Sequence, residues 1–447
     1  MTDSERAAER AAERASPAGL NRDILRLAVP ALGALVAEPA FLIVDAALVG
    51  HLGVDPLAGL GIASAVLQTI VGLMIFLAYS TTPAVARRFG AGDPSRAVSV
   101  GIDGMWLALG VGAVLALGGW LTTPALVSVF GPTPEVAEQA RIYLGLSMGG
   151  LPAMLIVFAA TGLLRGMQDT VTPLWIAGLG FAANAGLNYL LIYGLGWGIA
   201  GSAIGTVIAQ WAMVGAYVVV IGRLASRHSA RLRPQREGIG GSARSGGWLF
   251  LRTVSLRIAL LSTVIVATAM GPEELAGYHV VFTIFSAAAF ALDALAIAAQ
   301  ALVGKGLGAG DAAGVRRVLG RTVAWGVWFG VIVGAVIAVF SGAIGLVFTG
   351  SPALAALILP ALLVLAAAQP VAGVVFVLDG VLIGAGDQRY LAVAMTGAAA
   401  VFVAGAGVVL ALGLGIGWLW AGLTAFMAAR AAGLWLRYRA DRWLVVS

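Results

Sequence analysis

Long apolar runs, repeated along almost the whole sequence, are the feature that most limits how this chain can fold. Several of them reach about 20 residues, the length that an α-helix needs to cross the hydrocarbon core of a bilayer. Only 11% of the residues are charged, whereas an average soluble domain has about 25%. We therefore expect a membrane protein. Strand-like alternation of polar and apolar residues is absent, so the sequence predicts helices and not a transmembrane barrel.

Breaks between the apolar runs divide the chain into twelve predicted transmembrane helices, six in each half. These helices cover approximately residues 24–48, 57–83, 99–125, 139–164, 171–194, 198–222, 246–269, 275–303, 321–347, 354–384, 390–412 and 416–436. The predicted domains are a tail (1–22), an N-terminal six-helix bundle (23–222), an arginine-rich linker (223–245), a C-terminal six-helix bundle (246–437) and a second tail (438–447).

The positions of the arginines predict the orientation of the chain in the membrane. Alternate connections carry them, as with Arg87 after the second predicted helix and Arg223 after the sixth. The intervening connections hold few arginines, and Glu273 and Glu274 make one of them acidic. Because positively charged connections stay in the cytoplasm, we expect both termini to be cytoplasmic and the protein to lie in the inner cell membrane.

The two halves of the sequence share an internal repeat with an offset of 218 residues. The motif Gly-Ala-Gly-Asp at 90–93 recurs at 308–311, and Pro152 corresponds to Pro370. Since each copy holds an even number of helices, both copies begin on the same side of the membrane, as in the parallel repeats of transporters. The predicted fold class is an all-α membrane protein with twelve transmembrane helices in two six-helix parallel repeats. Such halves can rock and open a central cavity to either side in turn.

One carboxylate, Asp45, lies inside the first predicted helix, and Glu38 precedes it by two turns on the same helix face. A charged side chain at the bilayer centre costs about 2.5–3.5 kcal/mol on insertion scales, so each one needs a reason. Pro30 and Pro39 would allow this helix to bend. Because apolar surroundings favour the uncharged form of a carboxylic acid, we expect Asp45 to take up and release a proton. The alternative is a permanent pair with an arginine or a backbone group.

Other polar residues of the N-terminal half can join Asp45. Tyr143 lies in the fourth predicted helix, Asn184 and Asn188 share one face of the fifth, and Thr206 lies in the sixth. Each of them alone would be a hydrogen-bond partner between helices. Together with Asp45 they are candidates for one polar cluster.

The C-terminal half has two carboxylates of its own inside predicted helices, Asp293 and Asp379. With Glu38, they are candidates for a substrate pocket. A buried structural ion pair is the alternative, because three arginines of the same half could neutralise them. These are Arg252, Arg257 and Arg430.

Several classes of function lack their motifs in this sequence. The only lysine, Lys305, precedes Gly306, so there is no P-loop. The three histidines lack metal-ligand spacing and there is no cysteine, so we predict no metal site. The net charge of +6 comes from arginines between apolar runs, so we predict no nucleic-acid partner. We expect neither an enzyme nor a cofactor.

Four stretches of the chain resemble the MATE multidrug-extrusion family, in its DinF-like bacterial branch. They read LAVPALGALVAEPAFLIVDAALVGHLG, GLLRGMQDT, LDALAIAAQALVG and VLDGVLIGAGD. The resemblance covers roughly residues 24–437. It implies a V-shaped pair of bundles around a central cleft, and a cation-coupled antiporter that expels amphiphilic, often cationic compounds.

The resemblance also implies which residues form the coupling site. In related prokaryotic members, an aspartate of the first helix works with polar groups of helices 4, 5 and 6. Those positions correspond here to Asp45, Tyr143, Asn184, Asn188 and Thr206. Asn188 departs from the family pattern, which has an aspartate there. The loss of this carboxylate favours protons over sodium as the coupling ion.

We therefore predict a monomeric secondary antiporter that exchanges protons for a small amphiphilic or cationic substrate. Its partners are that substrate, the coupling cation and the lipid bilayer. One alternative is a sodium-coupled exporter that uses the same cluster. Another is a flippase for lipid-linked precursors, which would need more cationic residues in its cavity than this chain offers. A channel, from another class of function, would show downhill flux without coupling.

Overall fold

The computed structural model describes residues 16–349 and 352–445, apart from the side chains of Glu38, Phe348 and Thr349. Within these residues, twelve helices are long and apolar enough to cross a membrane. They are α1 (Pro17–Gly50), α2 (Val54–Gly90), α3 (Pro94–Ser128), α4 (Pro134–Gly166), α5 (Val171–Gly194), α6 (Gly198–Arg227), α7 (Arg236–Met270), α8 (Pro272–Gly308), α9 (Ala312–Thr349), α10 (Pro352–Gly384), α11 (Gln388–Ala411) and α12 (Ile416–Arg439). The predicted all-α architecture with twelve membrane-length helices is confirmed.

Three of these helices contain local irregularities. The α-helical pattern of α2 is interrupted at Ile75, and α4 includes a 3₁₀ turn at Met148–Gly150. The last turn of α5 widens into a π-turn at Leu190–Gly194. Such π-turns are rare and often occur at functional sites.

The helix starts repeat the offset that the sequence shows. Helices α8, α9 and α10 begin 218 residues after α2, α3 and α4, and α12 begins 218 residues after α6. The turn before the third helix of each copy also repeats a glycine with a positive φ angle. Gly92 before α3 has φ of 80°, and Gly310 before α9 has φ of 73°. Glycine is the residue that adopts such angles without strain. The structure therefore contains the internal repeat as two copies of one helix order.

The described residues divide into two compact units. One unit is Pro30–Gly246, and the other comprises the described residues up to Val29 together with those from Gly247 onward. In the first unit, α4 is central and packs against α2, α3 and α6. In the second unit, its repeat counterpart α10 packs against α8, α9 and α12. Asp45 belongs to the first unit, whereas Asp293 and Asp379 belong to the second.

The arginine-rich linker is shorter than the sequence predicts. Helix α6 continues to Arg227 and α7 begins at Arg236, so the connection is residues 228–235 and not 223–245. Likewise, α1 begins at Pro17, inside the predicted tail 1–22, of which residues 1–15 lie outside the described part. Both differences have one cause: hydropathy marks the apolar part of a helix, but its polar end turns remain helical.

Candidate functional site

Three helices, α4, α5 and α6, bring polar groups to the carboxylate of Asp45 on α1, which is 3% exposed. Its Oδ1 accepts hydrogen bonds from Asn188 Nδ2 at 2.8 Å and from Ser202 Oγ at 2.6 Å. Its Oδ2 accepts a hydrogen bond from the Tyr143 hydroxyl at 3.1 Å. Three neutral donors thus surround the carboxylate, and no lysine or arginine of the described residues forms an ion pair with it.

Helix α5 contacts α1 on both sides of Asp45. One helical turn before it, Phe41 stacks on Phe181 with ring centroids 5.3 Å apart. Almost one turn after it, the backbone oxygen of Leu48 accepts a hydrogen bond of 2.5 Å from the hydroxyl of Tyr193. Because residues three or four apart share a helix face, this face of α1 lies along α5 for about two turns. The π-turn that contains Tyr193 therefore belongs to the support of the site.

Asn188 is completely buried, and the two ends of its amide have different surroundings. Its Nδ2 contacts Asp45 and lies 3.3 Å from Ser202 Oγ. Its Oδ1 has no hydrogen-bond partner among the described residues. Gly205 of α6 lies against this oxygen, and a Cβ at that position would overlap with it. Only glycine at 205 leaves room for the amide in this position.

Two residues predicted for the same site do not bond to Asp45. Asn184 is 2% exposed and lies one turn before Asn188 on α5. Thr206 is 9% exposed and lies one turn after Ser202 on α6. Within the described part of the chain, Oδ1 of Asn184 and Oγ1 of Thr206 have no hydrogen-bond partner. The structure therefore brings Tyr143 and Asn188 directly to the carboxylate and leaves Asn184 and Thr206 unbonded to it.

Sequence reasoning missed Ser202, which donates the shortest of the three hydrogen bonds to Asp45. Serine is common in transmembrane helices, where its hydroxyl usually bonds to the backbone of the preceding turn. One signal was available: Ser202 precedes Thr206 by four residues and therefore shares its helix face.

We expect Ser202→Ala to slow export through this site by about tenfold or more. The substitution removes one of three donors to a buried carboxylate, and a hydrogen bond to a charged group contributes about 1.5–3 kcal/mol. Each 1.4 kcal/mol corresponds to about tenfold in an equilibrium constant. The measurement is the initial rate of export in proteoliposomes. Ser226→Ala is a matched control, since Ser226 lies on the same helix and donates only to Gly222 O; equal rates for both variants would contradict the role of Ser202.

The predicted bending residues Pro30 and Pro39 both lie inside α1. The helix continues through both of them as one element. Bending at these positions remains a prediction.

In the second unit, Asp379 lies between two arginines. Its Oδ2 accepts hydrogen bonds from Arg252 Nη2 at 2.7 Å and from Arg430 Nη2. All three residues are nearly buried, with 6–8% of each residue's surface exposed. The structure thus places Asp379 in the buried ion pair that the sequence left open as an alternative, with Arg252 and Arg430 as partners. Arg257, the third candidate partner, is exposed.

The other two residues predicted for a substrate pocket, Asp293 and Glu38, lie on two different helices. Asp293 lies on α8 and is partly buried. The side chain of Glu38 lies outside the described part of the chain. A pocket formed by Glu38, Asp293 and Asp379 therefore stays a prediction.

Comparisons with known proteins place this architecture in a family. The family model MatE matches residues 30–190 and 253–427. Protein DETOXIFICATION 44, chloroplastic, of Arabidopsis thaliana is 32% identical over 444 residues, which cover 95% of this chain and 84% of that protein. DNA damage-inducible protein F of Escherichia coli K12 is 28% identical over 449 residues, which cover 96% of this chain and 95% of that protein.

A solved structure supports the same fold. A crystal structure of a MATE protein in the bent conformation matches with a TM-score of 0.88 at 22% identity, and the match covers 95% of this chain and 96% of that one. The family match includes Asp45, Tyr143 and Asn188 of the candidate site. The chain therefore belongs to the MATE family of multidrug efflux transporters, a family of multi-pass membrane proteins whose members are transporters and not enzymes.

Proposed function

We propose that this protein is a proton-coupled antiporter that exports small amphiphilic, often cationic compounds. The proposal is based on the surroundings of the Asp45 side chain. Its carboxylate is buried and satisfied by three neutral donors, and no described arginine or lysine neutralises it. Such a group can change its charge, whereas a carboxylate paired with a guanidinium keeps it.

The coupling follows from competition for one negative charge. A proton and a cationic substrate each compensate the charge of Asp45, so the binding of one weakens the binding of the other. Each ligand shifts the conformational equilibrium by its difference in affinity between the two states. A proton that enters from outside therefore promotes substrate release, and proton loss to the cytoplasm restores the site. One charge that crosses 100 mV supplies about 2.3 kcal/mol to bias this cycle.

Protonation also changes the hydrogen bonds that hold α1. The charged carboxylate can only accept hydrogen bonds, and it accepts one each from Tyr143, Asn188 and Ser202. A protonated carboxyl group needs an acceptor for its own O–H. The Oδ1 atom of Asn188, which has no donor among the described residues, is available after a rotation of the amide or a small shift of α1. Protonation of Asp45 thus loosens the contact between α1 and α5–α6, and Pro30 and Pro39 allow α1 to repack.

The proposal also includes the membrane in which the protein lies and its orientation there. We place the protein as a monomer in the inner cell membrane with both termini in the cytoplasm. Alternate connections support this orientation: Arg231 and Arg233 lie in the connection between α6 and α7, and Arg87 and Arg88 lie at the end of α2. The acidic pair Glu273–Glu274 begins α8 at the opposite end. Such a distribution of arginines follows the positive-inside rule.

Transport in proteoliposomes with separately imposed pH and sodium gradients tests this proposal. The probe is a fluorescent lipophilic cation. We expect a pH gradient, acidic on the side of substrate release, to drive export in sodium-free buffer. A sodium gradient at equal pH on both sides should drive none. Export that requires sodium and ignores the pH gradient would overturn proton coupling.

Sodium coupling at the same cluster is the second candidate, and one observation favours it. Three buried oxygen atoms on α5 and α6, those of Asn184, Asn188 and Thr206, lack hydrogen-bond partners among the described residues. Sodium prefers such oxygen ligands, but it also requires negative charge, and among the side chains that the structure describes Asp45 is the only carboxylate that bonds within this network.

The substitution Asn188→Asp separates the two ions. It would place a second carboxylate where Nδ2 now lies 2.8 Å from Asp45, and two carboxylates at this distance cannot both ionise without a cation. We expect sodium to stimulate export by Asn188→Asp and to have no effect on the wild type at fixed pH. Sodium stimulation of the wild type would favour the sodium-coupled exporter instead.

A further inference from the structure

We propose that the second unit binds a single-chain amphiphile with an anionic head group, in a cavity between α11 and α12. The cavity has a volume of about 540 Å³, and all of its lining residues belong to the second unit. Pockets for small molecules typically have volumes of about 300–1,000 Å³. The inference does not rest on proton coupling at Asp45, which lies in the other unit and does not line this cavity.

The chemistry of the walls favours an apolar body with a charged end. Asp379 and Arg430 alone are ionisable among the described lining residues, and the others are aliphatic, aromatic or glycine. Small residues of both helices leave the space open, and Phe402 and Phe426 form an aromatic pair with ring centroids 5.3 Å apart. A mostly apolar pocket with a few fixed polar groups orients a ligand by its polar end.

The charged end of the cavity selects an anion. Asp379 already accepts hydrogen bonds from two guanidinium groups, Arg252 and Arg430, so its charge is compensated and it attracts a cationic head group only weakly. Arg430 has five N–H donors, and its contacts with described residues use two of them, to Asp379 and to Met427 Sδ at 3.4 Å. The remaining donors can bind a carboxylate, sulfate or phosphate group in the fork geometry that arginine prefers.

Arg430 is also fixed before any ligand arrives. Asp379 and Met427 hold its terminal nitrogens, and its guanidinium carbon lies 5.5 Å from the centre of the Phe426 ring. A side chain that is already ordered loses little freedom when a ligand binds. The arrangement is therefore a preformed anion site at the end of an apolar cavity.

Glycines on α11 allow the cavity to be filled without touching its charged end. A Cβ built on Gly405, which lines the cavity, would meet no atom within 4 Å. The same holds for Gly407, which lies on the same helix outside the lining. Gly405→Leu thus occupies the proposed site, and Gly407→Leu is its matched control for the effect of leucine on the helix.

The test is equilibrium binding of labelled dodecanoate to the purified protein in phosphatidylcholine nanodiscs, with empty nanodiscs as background. We expect wild type and Gly407→Leu to bind with equal Kd, and Gly405→Leu to bind about tenfold or more weakly because leucine fills the space. Dodecyltrimethylammonium, with the same chain and the opposite charge, should compete about tenfold less well than unlabelled dodecanoate.

Three results would overturn the inference. They are equal binding by Gly405→Leu and the wild type, equal competition by the cationic amphiphile, and displacement of dodecanoate by phosphatidylglycerol, which would assign the cavity to a two-chain lipid. Arg430→Met should weaken dodecanoate binding as well. If that variant fails to fold, Gly405→Leu and the competition by charge still decide the question.

Discussion

Export driven by a pH gradient is expected to fall to the level of protein-free liposomes when Asp45 is replaced by asparagine. Asparagine has nearly the same shape as aspartate, and its carbonyl oxygen can still accept a hydrogen bond from Ser202 or Tyr143. The protein should therefore remain folded. The amide does not titrate, so a proton can no longer replace the substrate at this position. The measurement is the initial rate of export in proteoliposomes with an imposed pH gradient.

A matched control for Asp45→Asn is Asp55→Asn, since Asp55 is an exposed carboxylate in the first turn of α2 of the same unit. It should export at the rate of the wild type. Thermal unfolding of both variants shows whether the loss of export is a loss of structure. Normal coupled export by folded Asp45→Asn would contradict the proposed role of this residue.

The second large effect is expected at Asp379, on stability. The substitution Asp379→Ala would leave Arg252 and Arg430 without the carboxylate that both now contact, in a place where their side chains are only 10% and 6% exposed. Removal of one partner from a buried ion pair costs about 3–5 kcal/mol, because the remaining charge is buried without compensation. The free energy of unfolding in mixed micelles measures this cost.

Two companion variants show whether the cost comes from the uncompensated charge. Arg316→Ala breaks a pair with Asp441 whose side chains are 45% and 50% exposed, so it should leave the stability almost unchanged. The triple substitution Asp379→Leu, Arg252→Met, Arg430→Met should recover most of the loss, since apolar residues often replace a buried ion cluster without penalty. A wild-type stability for Asp379→Ala would contradict the account of this cluster.

The sequence predicts the scaffold well because hydropathy and helix length are local properties. The twelve helices, the 218-residue repeat and the embedded position of Asp45 all follow from such patterns. The linker 223–245 was predicted too long for the same reason: the polar turns at the end of α6 and the start of α7 are helical, but they are not apolar.

The contacts within the sites depend on tertiary packing, which a local pattern does not contain. Ser202 bonds to Asp45 across 157 positions of sequence, and its shared helix face with Thr206 is a local signal too weak to identify that partner. Asp379 bonds to Arg252 and Arg430 across 127 and 51 positions, and only the fold selects them over Arg257. The two asparagines of α5 share a helix face, but only Asn188 reaches the carboxylate.

Infrared difference spectroscopy of the wild type on addition of a cationic substrate tests the central claim most directly. The account predicts that substrate binding removes the carbonyl band of a protonated carboxylic acid, and that Asp45→Asn lacks this change. Asp55→Asn should retain it. A wild-type spectrum without any change in this band, or the same change in Asp45→Asn, would contradict proton exchange at Asp45.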